Sequence, residues 1–150
     1  MREILFRAKT EPNCKDVMNG KIIKNPKWIY GYVDLGYMHD CKAPLISDEK
    51  GNNIYKCQYE TIGQFTGLTD KNGKKIFEGD IGKHKQTDGA KRNGKPIICI
   101  GKVIYNAKTA SYAVESQDDA GCKYFDYFPI KDFEVIGNIH DNPELLEVAK

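Results

Sequence analysis

Residues 70–81 read DKNGKKIFEGDI and contain two tight-turn patterns around a short apolar segment. Asn72 and Gly73 are residue types that adopt positive φ at low energetic cost, and the tight turns of β-hairpins require that conformation. The Asp70 carboxylate can accept hydrogen bonds from backbone amides ahead of it, and the EGD sequence predicts a second bend. The segment therefore predicts a β-hairpin with structural turn residues. These are Asp70, Asn72, Gly73, Gly79 and Asp80.

The same pattern recurs along the chain, since Asn and Gly stand together at four places and isoleucine follows within three residues. These segments are VMNGKII (17–23), EKGNNI (49–54), DKNGKKI (70–76) and KRNGKPI (91–97). The predicted strands are rich in Ile, Val, Tyr and Phe: KWIYGYVDL (27–35), PIICIGKVIYN (96–106), SYAVES (111–116) and KDFEVIGNI (131–139). Many short strands separated by turns predict a mainly β fold of antiparallel hairpins with a small barrel or roll.

Helix is predicted only at the C-terminal segment DNPELLEVAK (141–150). Asn142 can cap this helix, Pro143 suits its first position, and Glu144 complements the helix dipole. Leu145 and the apolar residues after it then form one side on which a short helix can dock.

The composition is that of a soluble globular protein, with 150 residues of which 40% are hydrophobic and 29% are charged. This length fits one domain or two small subdomains that share a core. The chain contains no apolar segment of the roughly 18–20 residues that a membrane span needs. The N-terminal MREILFRAKTEP has a charge inside its apolar run, so we expect a cytoplasmic protein without a signal peptide. The five scattered cysteines favour reduced, mostly buried thiols.

Positive charge is concentrated in residues 71–102, which carry nine Lys or Arg and three acidic residues. Small β-barrels often bind nucleic acid through such basic loops, and phosphate contacts make that affinity sensitive to salt. Few aromatic residues are interleaved with these cations, however, and only three of the chain's 23 cations are arginine. A solvated surface rich in lysine is the alternative. The candidate nucleic-acid contacts are Lys74, Lys75, Lys83, Lys85, Lys91, Arg92 and Lys95.

The segment KYFDYFPIKDF (123–133) carries aromatic residues that cannot all point to one side of a strand. One side is expected to enter the core. The aromatic side chains on the other side must also be shielded from water, either by the rest of this chain or by another copy of it. The candidate protein interface consists of Tyr124, Phe125, Tyr127 and Phe128.

The segment TIGQFTGLTDKNGKKIFEGDI (61–81) resembles the hallmark segment of YopX-like proteins, a family found in phages and prophages of bacteria. REILFRA (2–8), WIYGYV (28–33) and FEVIGNIHDNPELL (133–146) resemble other segments of that family. The resemblance implies a mainly β fold with an SH3-like barrel portion. We expect an N-terminal β subdomain over residues 1–60 and an SH3-like subdomain with a C-terminal helix over residues 61–150. The resemblance carries no catalytic residue.

No pattern in the sequence indicates catalysis, a metal or a cofactor. Of the three histidines, His39 stands near Cys41 without a CxxC or HxxxH motif, and no phosphate-binding glycine loop is present. Asp70 and its neighbours do not form a calcium loop, because Lys74 stands where the fifth-position oxygen ligand would be. We therefore expect no enzyme activity, no cofactor and no metal.

The predicted function is that of a non-enzymatic phage or prophage accessory protein in the cytoplasm of the bacterial host. It is expected to act as a protein-interaction module that self-associates, with a phage or host protein as a further candidate partner. The first alternative is a nucleic-acid-binding small β-barrel that uses the basic hairpins of residues 71–102. The second is an unrecognised hydrolase or nuclease, which would need a pocket that brings His84 or His140 close to an acidic residue.

Overall fold

The computed structural model of the protein describes residues 3–34, 43–85, 91–92, 94–116 and 132–147, the pair 91–92 by its backbone alone. These residues form antiparallel strands and one short α-helix, which confirms the prediction of a mainly β fold. The chain divides into two compact units, Met1–Phe65 and Thr66–Lys150, where the sequence placed a boundary after residue 60.

Unit 1 is built on an antiparallel sheet with the strand order β6-β5-β4-β1-β7 and a separate β2–β3 hairpin. Its strands are β1 (Phe6–Lys9), β2 (Cys14–Lys15), β3 (Ile22–Ile23), β4 (Trp28–Asp34), β5 (Leu45–Asp48), β6 (Ile54–Lys56) and β7 (Gly63–Thr69), the last of which continues into unit 2. A 3₁₀ turn, Tyr59–Thr61, precedes β7.

The core of unit 1 lies on one face of this sheet. Ala8 of β1 pairs with Ile29 of β4, and both pack with Ile46, Tyr55 and Cys57. Alternate residues of a strand point to opposite faces, so burial of Ile29 directs its neighbours in β4 to the other face.

Gly31 allows β4 and β5 to approach closely. A Cβ atom at this position would lie 1.7 Å from the backbone oxygen of Ser47, so no other residue fits without moving the strands apart. The glycine of the WIYGYV segment is thus a packing requirement of the sheet.

Unit 2 contains a four-stranded antiparallel sheet with the order β13-β12-β9-β14. Its elements are β8 (Lys75–Phe77), β9 (Asp80–Lys85), β10 (Lys91–Arg92), β11 (Lys95–Pro96), β12 (Ile98–Asn106), β13 (Ser111–Ser116), β14 (Glu134–Asn138) and α1 (Glu144–Glu147). The end of β7 pairs with β8, and β10 pairs with β11. Among the described residues these strands do not close into a barrel.

Phe133 fills the centre of the core of unit 2, where it packs with Ile76, Val103, Val114 and Val135. Its ring rests on Gly82 of β9: a Cβ atom there would lie 2.1 Å from the ring atom Cζ. The absence of a side chain at position 82 therefore makes room for the largest fully buried side chain of the described residues.

All four predicted turns lie between strands that pair with each other. Positive φ is found at the glycines of these turns, Gly20, Gly51, Gly73 and Gly94. The expectation that Asn72 would share this conformation is wrong, because its φ is not positive. The amide of Gly73 donates to the backbone oxygen of Asp70, and a turn of this kind needs a single left-handed residue after it.

The helix α1 spans Glu144–Glu147, within the predicted range 141–150. Leu145 and Leu146 are half-buried, and α1 contacts β12. In the described part of the chain no helix is long and apolar enough to cross a membrane.

Three cysteines are described. Cys14 and Cys57 are free and buried, whereas Cys99 of β12 is disulfide-bonded. The expectation of reduced thiols is thus wrong for Cys99, because the spacing of cysteines along the chain does not show which of them meet in space.

Candidate functional site

One face of strand β4 carries a row of aromatic side chains. Trp28, Tyr30 and Tyr32 alternate with Ile29 and Gly31, so the three rings lie on the face of the strand opposite to the core. Tyr30 is 43% exposed and Tyr32 is 45% exposed, and Trp28 is half-buried. β4 thus presents two tyrosine rings to solvent, with Trp28 at the beginning of the row.

Two cationic side chains lie near the Trp28 ring. Strand β1 pairs with β4 so that Lys9 lies opposite Trp28 and Arg7 lies opposite Tyr30. Arg7 Cζ is 4.9 Å and Lys9 Nζ is 5.6 Å from the centroid of the Trp28 ring. Both distances are within the roughly 6 Å over which a cation and an aromatic ring attract each other. The ring therefore holds two positive charges at this end of the aromatic row.

A groove of about 640 Å³ lies beside the beginning of the row. It is lined by residues 27–30 and by the β5–β6 hairpin, namely Asp48, Glu49, Lys50, Asn52, Asn53 and Tyr55. The ammonium group of Lys27 lies 5.1 Å from the centroid of the Tyr55 ring. Small-molecule sites commonly have volumes of roughly 300–1,000 Å³, so the groove is large enough for one nucleotide or a few side chains of a partner.

Asp48 gives the β5–β6 loop a fixed conformation. Its carboxylate accepts hydrogen bonds from the backbone amide of Asn52 at 2.8 Å and from the side-chain amide of Asn53. The side-chain oxygen of Asn53 in turn accepts a hydrogen bond from Asn19 Nδ2 at 3.0 Å. The side-chain bond from Asn53 is the main reason that the pKa of Asp48 lies below its usual value, in spite of desolvation. The carboxylate is thus charged at neutral pH, and its oxygens accept hydrogen bonds from amides of the loop.

The β2–β3 hairpin exposes apolar side chains. Val17 is 46%, Met18 is 56% and Ile22 is 61% exposed. The hairpin is held in place by Asp16, which is only 1% exposed and whose Oδ1 accepts from the amides of Met18 at 2.9 Å and Ile54 at 3.3 Å. We name Val17, Met18 and Ile22 the apolar hairpin patch. A buried carboxylate thus orders a turn whose own side chains face water.

The predicted basic contacts that the structure describes differ in exposure, and one of them pairs with an acidic residue. Lys74, Lys85 and Lys95 are exposed, Lys75 and Lys83 are half-buried, and Lys91 and Arg92 form β10 with side chains outside the described part of the structure. Lys83 Nζ lies 3.5 Å from Glu134 Oε2, which also accepts a hydrogen bond from Lys71. The bond from Lys71 is the main cause of the lowered pKa of Glu134. Acidic residues therefore neutralise part of the segment's charge.

Asp70 joins the β7–β8 turn to strand β14. Its side chain is buried, and Oδ1 accepts from the amides of Asn72 at 2.8 Å and Lys74 at 2.9 Å, whereas Oδ2 accepts from the amide of Val135 at 3.1 Å. Burial alone raises the pKa of this carboxyl, but the three amides and the Lys74 charge outweigh it, and the pKa is lowered. Asp70 thus stays ionised as a bridge between two elements.

The second bend uses Asp80 in a similar way. Asp80 is 1% exposed, and its Oδ2 accepts from the Phe77 amide at 2.8 Å, while Gly79 has a φ of +78°. Asp80 therefore contacts the backbone of its own bend.

The remaining candidates for chemistry lie inside the two units. His84 is 2% exposed, with its ring centroid 6.5 Å from that of Phe133. Burial raises the pKa of the Cys57 thiol to about 12 and that of Cys14 in the same direction, so both are protonated and poor nucleophiles. No group of three His, Cys, Asp or Glu in the described ranges is arranged to hold a metal ion. The predicted interface residues Tyr124, Phe125, Tyr127 and Phe128 lie outside the described residues.

Sequence reasoning did not single out the aromatic row as a binding surface. The signal is present in WIYGYV, where aromatic residues occupy every second position of a strand. The cations beside it come from β1, some twenty residues earlier, and only the pairing of the strands reveals them.

The structure thus defines a mainly β protein of two antiparallel units, with an aromatic and cationic surface on the first unit. The model of the YopX protein family matches residues 8–147, and the chain belongs to this family. A similar solved structure is the crystal structure of protein EF1440 from Enterococcus faecalis. That structure has 24% sequence identity and a TM-score of 0.46, with 97% of this chain and 99% of that chain covered. No curated protein matches the sequence.

Proposed function

We propose that this protein is a non-enzymatic phage or prophage accessory protein that acts as a protein-interaction module in the bacterial cytoplasm. Its first partner is a second copy of the chain. The observation that carries this proposal is the apolar hairpin patch, in which Val17, Met18 and Ile22 are exposed on one ordered hairpin. The phage context rests on the resemblance to phage and prophage proteins.

The apolar hairpin patch has the properties of an interface. Burial of apolar surface stabilises association by about 25 cal/mol per Å², and adjacent large apolar residues at a surface mark contact sites. The turn is already ordered, because Asp16 holds the Met18 amide, so binding does not have to order it. A twofold contact buries the same patch on both copies, which makes a homodimer the simplest use of one such patch.

Mass measurement by size-exclusion chromatography with light scattering tests this proposal. The wild-type protein is expected to exceed the mass of one 17.0 kDa chain at micromolar concentration, and Ile22→Ser is expected to shift it toward the monomer. Ile4→Ser is the matched control, since Ile4 is also 61% exposed but lies outside the patch. A wild-type monomer up to about 100 μM, or equal effects of the two substitutions, would rule out association through this patch.

For unit 2 we propose an SH3-like barrel within residues 61–140. The supporting observation is the four-stranded antiparallel sheet β13-β12-β9-β14, whose neighbours in sequence, β7 and β8, also pair with each other. Backbone hydrogen bonds mapped by NMR would test it, since a barrel requires pairing that joins β7 or β8 to the four-stranded sheet.

The alternative function, nucleic-acid binding through the basic hairpins of residues 71–102, is the weaker proposal. Lys71 and Lys83 pair with Glu134, and Lys102 pairs with Glu115 at 2.8 Å. Binding through this segment would weaken on neutralising Lys91, Arg92 and Lys95, and its salt dependence would flatten. Unchanged affinity of such a variant for DNA and RNA would remove this function.

A further inference from the structure

We propose that the outer face of β4, together with the groove beside it, binds single-stranded nucleic acid. In this proposal Tyr30 and Tyr32 stack on neighbouring bases, and Lys9 and Lys27 contact the phosphates. This surface is different from the apolar hairpin patch and from the basic hairpins, so the proposal does not depend on self-association.

The spacing of the two tyrosines suits an extended single strand. Residues two apart in a strand lie about 7 Å apart on one face. Stacked nucleotides of a duplex rise only about 3.4 Å each, so adjacent bases can reach both rings only when the strand is unstacked and extended. Single strands adopt that form easily, and proteins that bind them stack successive bases on exposed aromatic rings of a sheet.

The charge at the beginning of the row complements a phosphate backbone. Lys9 Nζ lies 5.6 Å from the Trp28 ring, and Lys27 Nζ lies 5.1 Å from the Tyr55 ring. Each ring holds a flexible lysine near the groove, which lowers the entropy that the side chain loses when it contacts a ligand. Two carboxylates also line the groove: that of Asp48 accepts hydrogen bonds from loop amides, and that of Glu49 is exposed and opposes an anion, an effect that the exposed ammonium group of Lys50 in the same lining offsets.

The groove gives the first base of the strand a place to bind. It has a volume of about 640 Å³ and adjoins Trp28 and Tyr30. Asn52 at its rim is exposed and carries a side-chain amide that can donate to and accept from the edge of a base. The combination of stacking rings, cations and an amide is the chemistry of a nucleotide site.

Fluorescence anisotropy with labelled 15-nucleotide dT and rU strands tests the proposal, with a 15-base-pair duplex as competitor. The two strands distinguish DNA from RNA, and the duplex tests whether extended bases are required. Binding of at least one single strand is expected, with a weaker response to duplex. Tyr30→Ala and Tyr32→Ala are each expected to weaken binding by between about 5-fold and about 150-fold, whereas Tyr30→Phe retains it.

Matched controls separate stacking from general effects. Tyr59 is 76% exposed and lies outside the β4 face, so Tyr59→Ala is expected to bind like the wild type. Lys27→Gln is expected to reduce the slope of log Kobs against log salt by about 0.7, the value for one phosphate contact with a single strand. Thermal unfolding of each variant shows whether it is folded.

The proposal fails if neither single strand binds, or if the duplex competes as well as the single strand. It also fails if Tyr30→Ala and Tyr32→Ala bind like Tyr59→Ala. Loss of binding in Tyr30→Phe as well as Tyr30→Ala would contradict stacking, because phenylalanine keeps the ring. A failure here leaves the self-association experiment unaffected, since that experiment uses Ile22→Ser and no nucleic acid.

Discussion

Replacing Asp70 by alanine removes the acceptor that joins the β7–β8 turn to β14, and we expect this to be among the most costly substitutions in unit 2. The amides of Asn72 and Lys74 lie in an exposed turn, where water can replace the carboxylate, at about 0.5–1 kcal/mol for each bond. The Val135 amide is buried and would be left without its acceptor, at about 1–3 kcal/mol. The sum is about 2–5 kcal/mol of unfolding free energy.

Urea denaturation followed by far-UV circular dichroism measures this loss. The single tryptophan, Trp28, lies in unit 1, so its fluorescence shows whether that unit unfolds in the same transition. Asp48→Ala is the matched control, because Asp48 also accepts from amides of a hairpin loop but from no buried amide of a distant strand. We expect it to cost only about 1–2 kcal/mol, from two bonds at about 0.5–1 kcal/mol each. Equal losses in the two variants would refute the reasoning about Val135.

The same carboxylate predicts a dependence of stability on pH. Its pKa in the folded protein is below the ordinary value of 3.8, so the folded state binds the proton less readily than the unfolded chain does. The stabilisation is complete above the ordinary pKa and is lost as the pH falls through the lower folded-state pKa. Asp70→Asn should therefore lose less stability than the wild type between pH 5 and about pH 2. An identical acid response in both proteins would show that Asp70 does not contribute to it.

Two glycine substitutions, one of them with a compensating change at Phe133, and one labelling experiment test the packing. Gly82→Ala should destabilise unit 2 by about 1–3 kcal/mol through overpacking, because its Cβ would lie 2.1 Å from the Phe133 ring, and Phe133→Leu in the same chain should partly restore the loss. Gly73→Ala should cost about 1–2 kcal/mol from its φ of +81° alone, since nothing lies within 4 Å of the added Cβ. The φ of Gly82 is not positive, so urea titration would find almost no loss in Gly82→Ala if the Phe133 contact did not matter. Cys14 and Cys57 should resist a thiol-specific reagent at pH 8 in the native protein and react after unfolding, and peptide mapping that finds either labelled in the native state would contradict their raised pKa values.

Most of the architecture could be predicted because it depends on local chemistry. The glycines Gly20, Gly51 and Gly73 mark turns of the chain. The segments between these turns either alternate apolar with polar residues or are continuously apolar, and both patterns are typical of strands. The Asp70 turn could be anticipated for the same reason, since two of its three hydrogen bonds reach only a few residues ahead. Its third bond, to Val135, could not, because a contact across 65 residues leaves no local pattern.

The candidate site was harder to predict for the same physical reason. In the basic segment 71–102, which the sequence offered as the alternative and less favoured site, positive charges are close together along the chain. In the folded protein Lys83 lies against Glu134, whose strand pairs with β9, so the linear cluster overstates the charge that is left unpaired. The surface beside Trp28 instead obtains its cations from another strand.

The sequence by itself determined the strands, the turns and the alternation that puts Trp28, Tyr30 and Tyr32 on one face of β4, because neighbouring residues of a strand point in opposite directions. Only the tertiary structure decided that Arg7 and Lys9 lie near the Trp28 ring and that Phe133 rests on Gly82. Strand register and core packing result from the simultaneous burial of residues far apart in the chain, and no short segment carries that information.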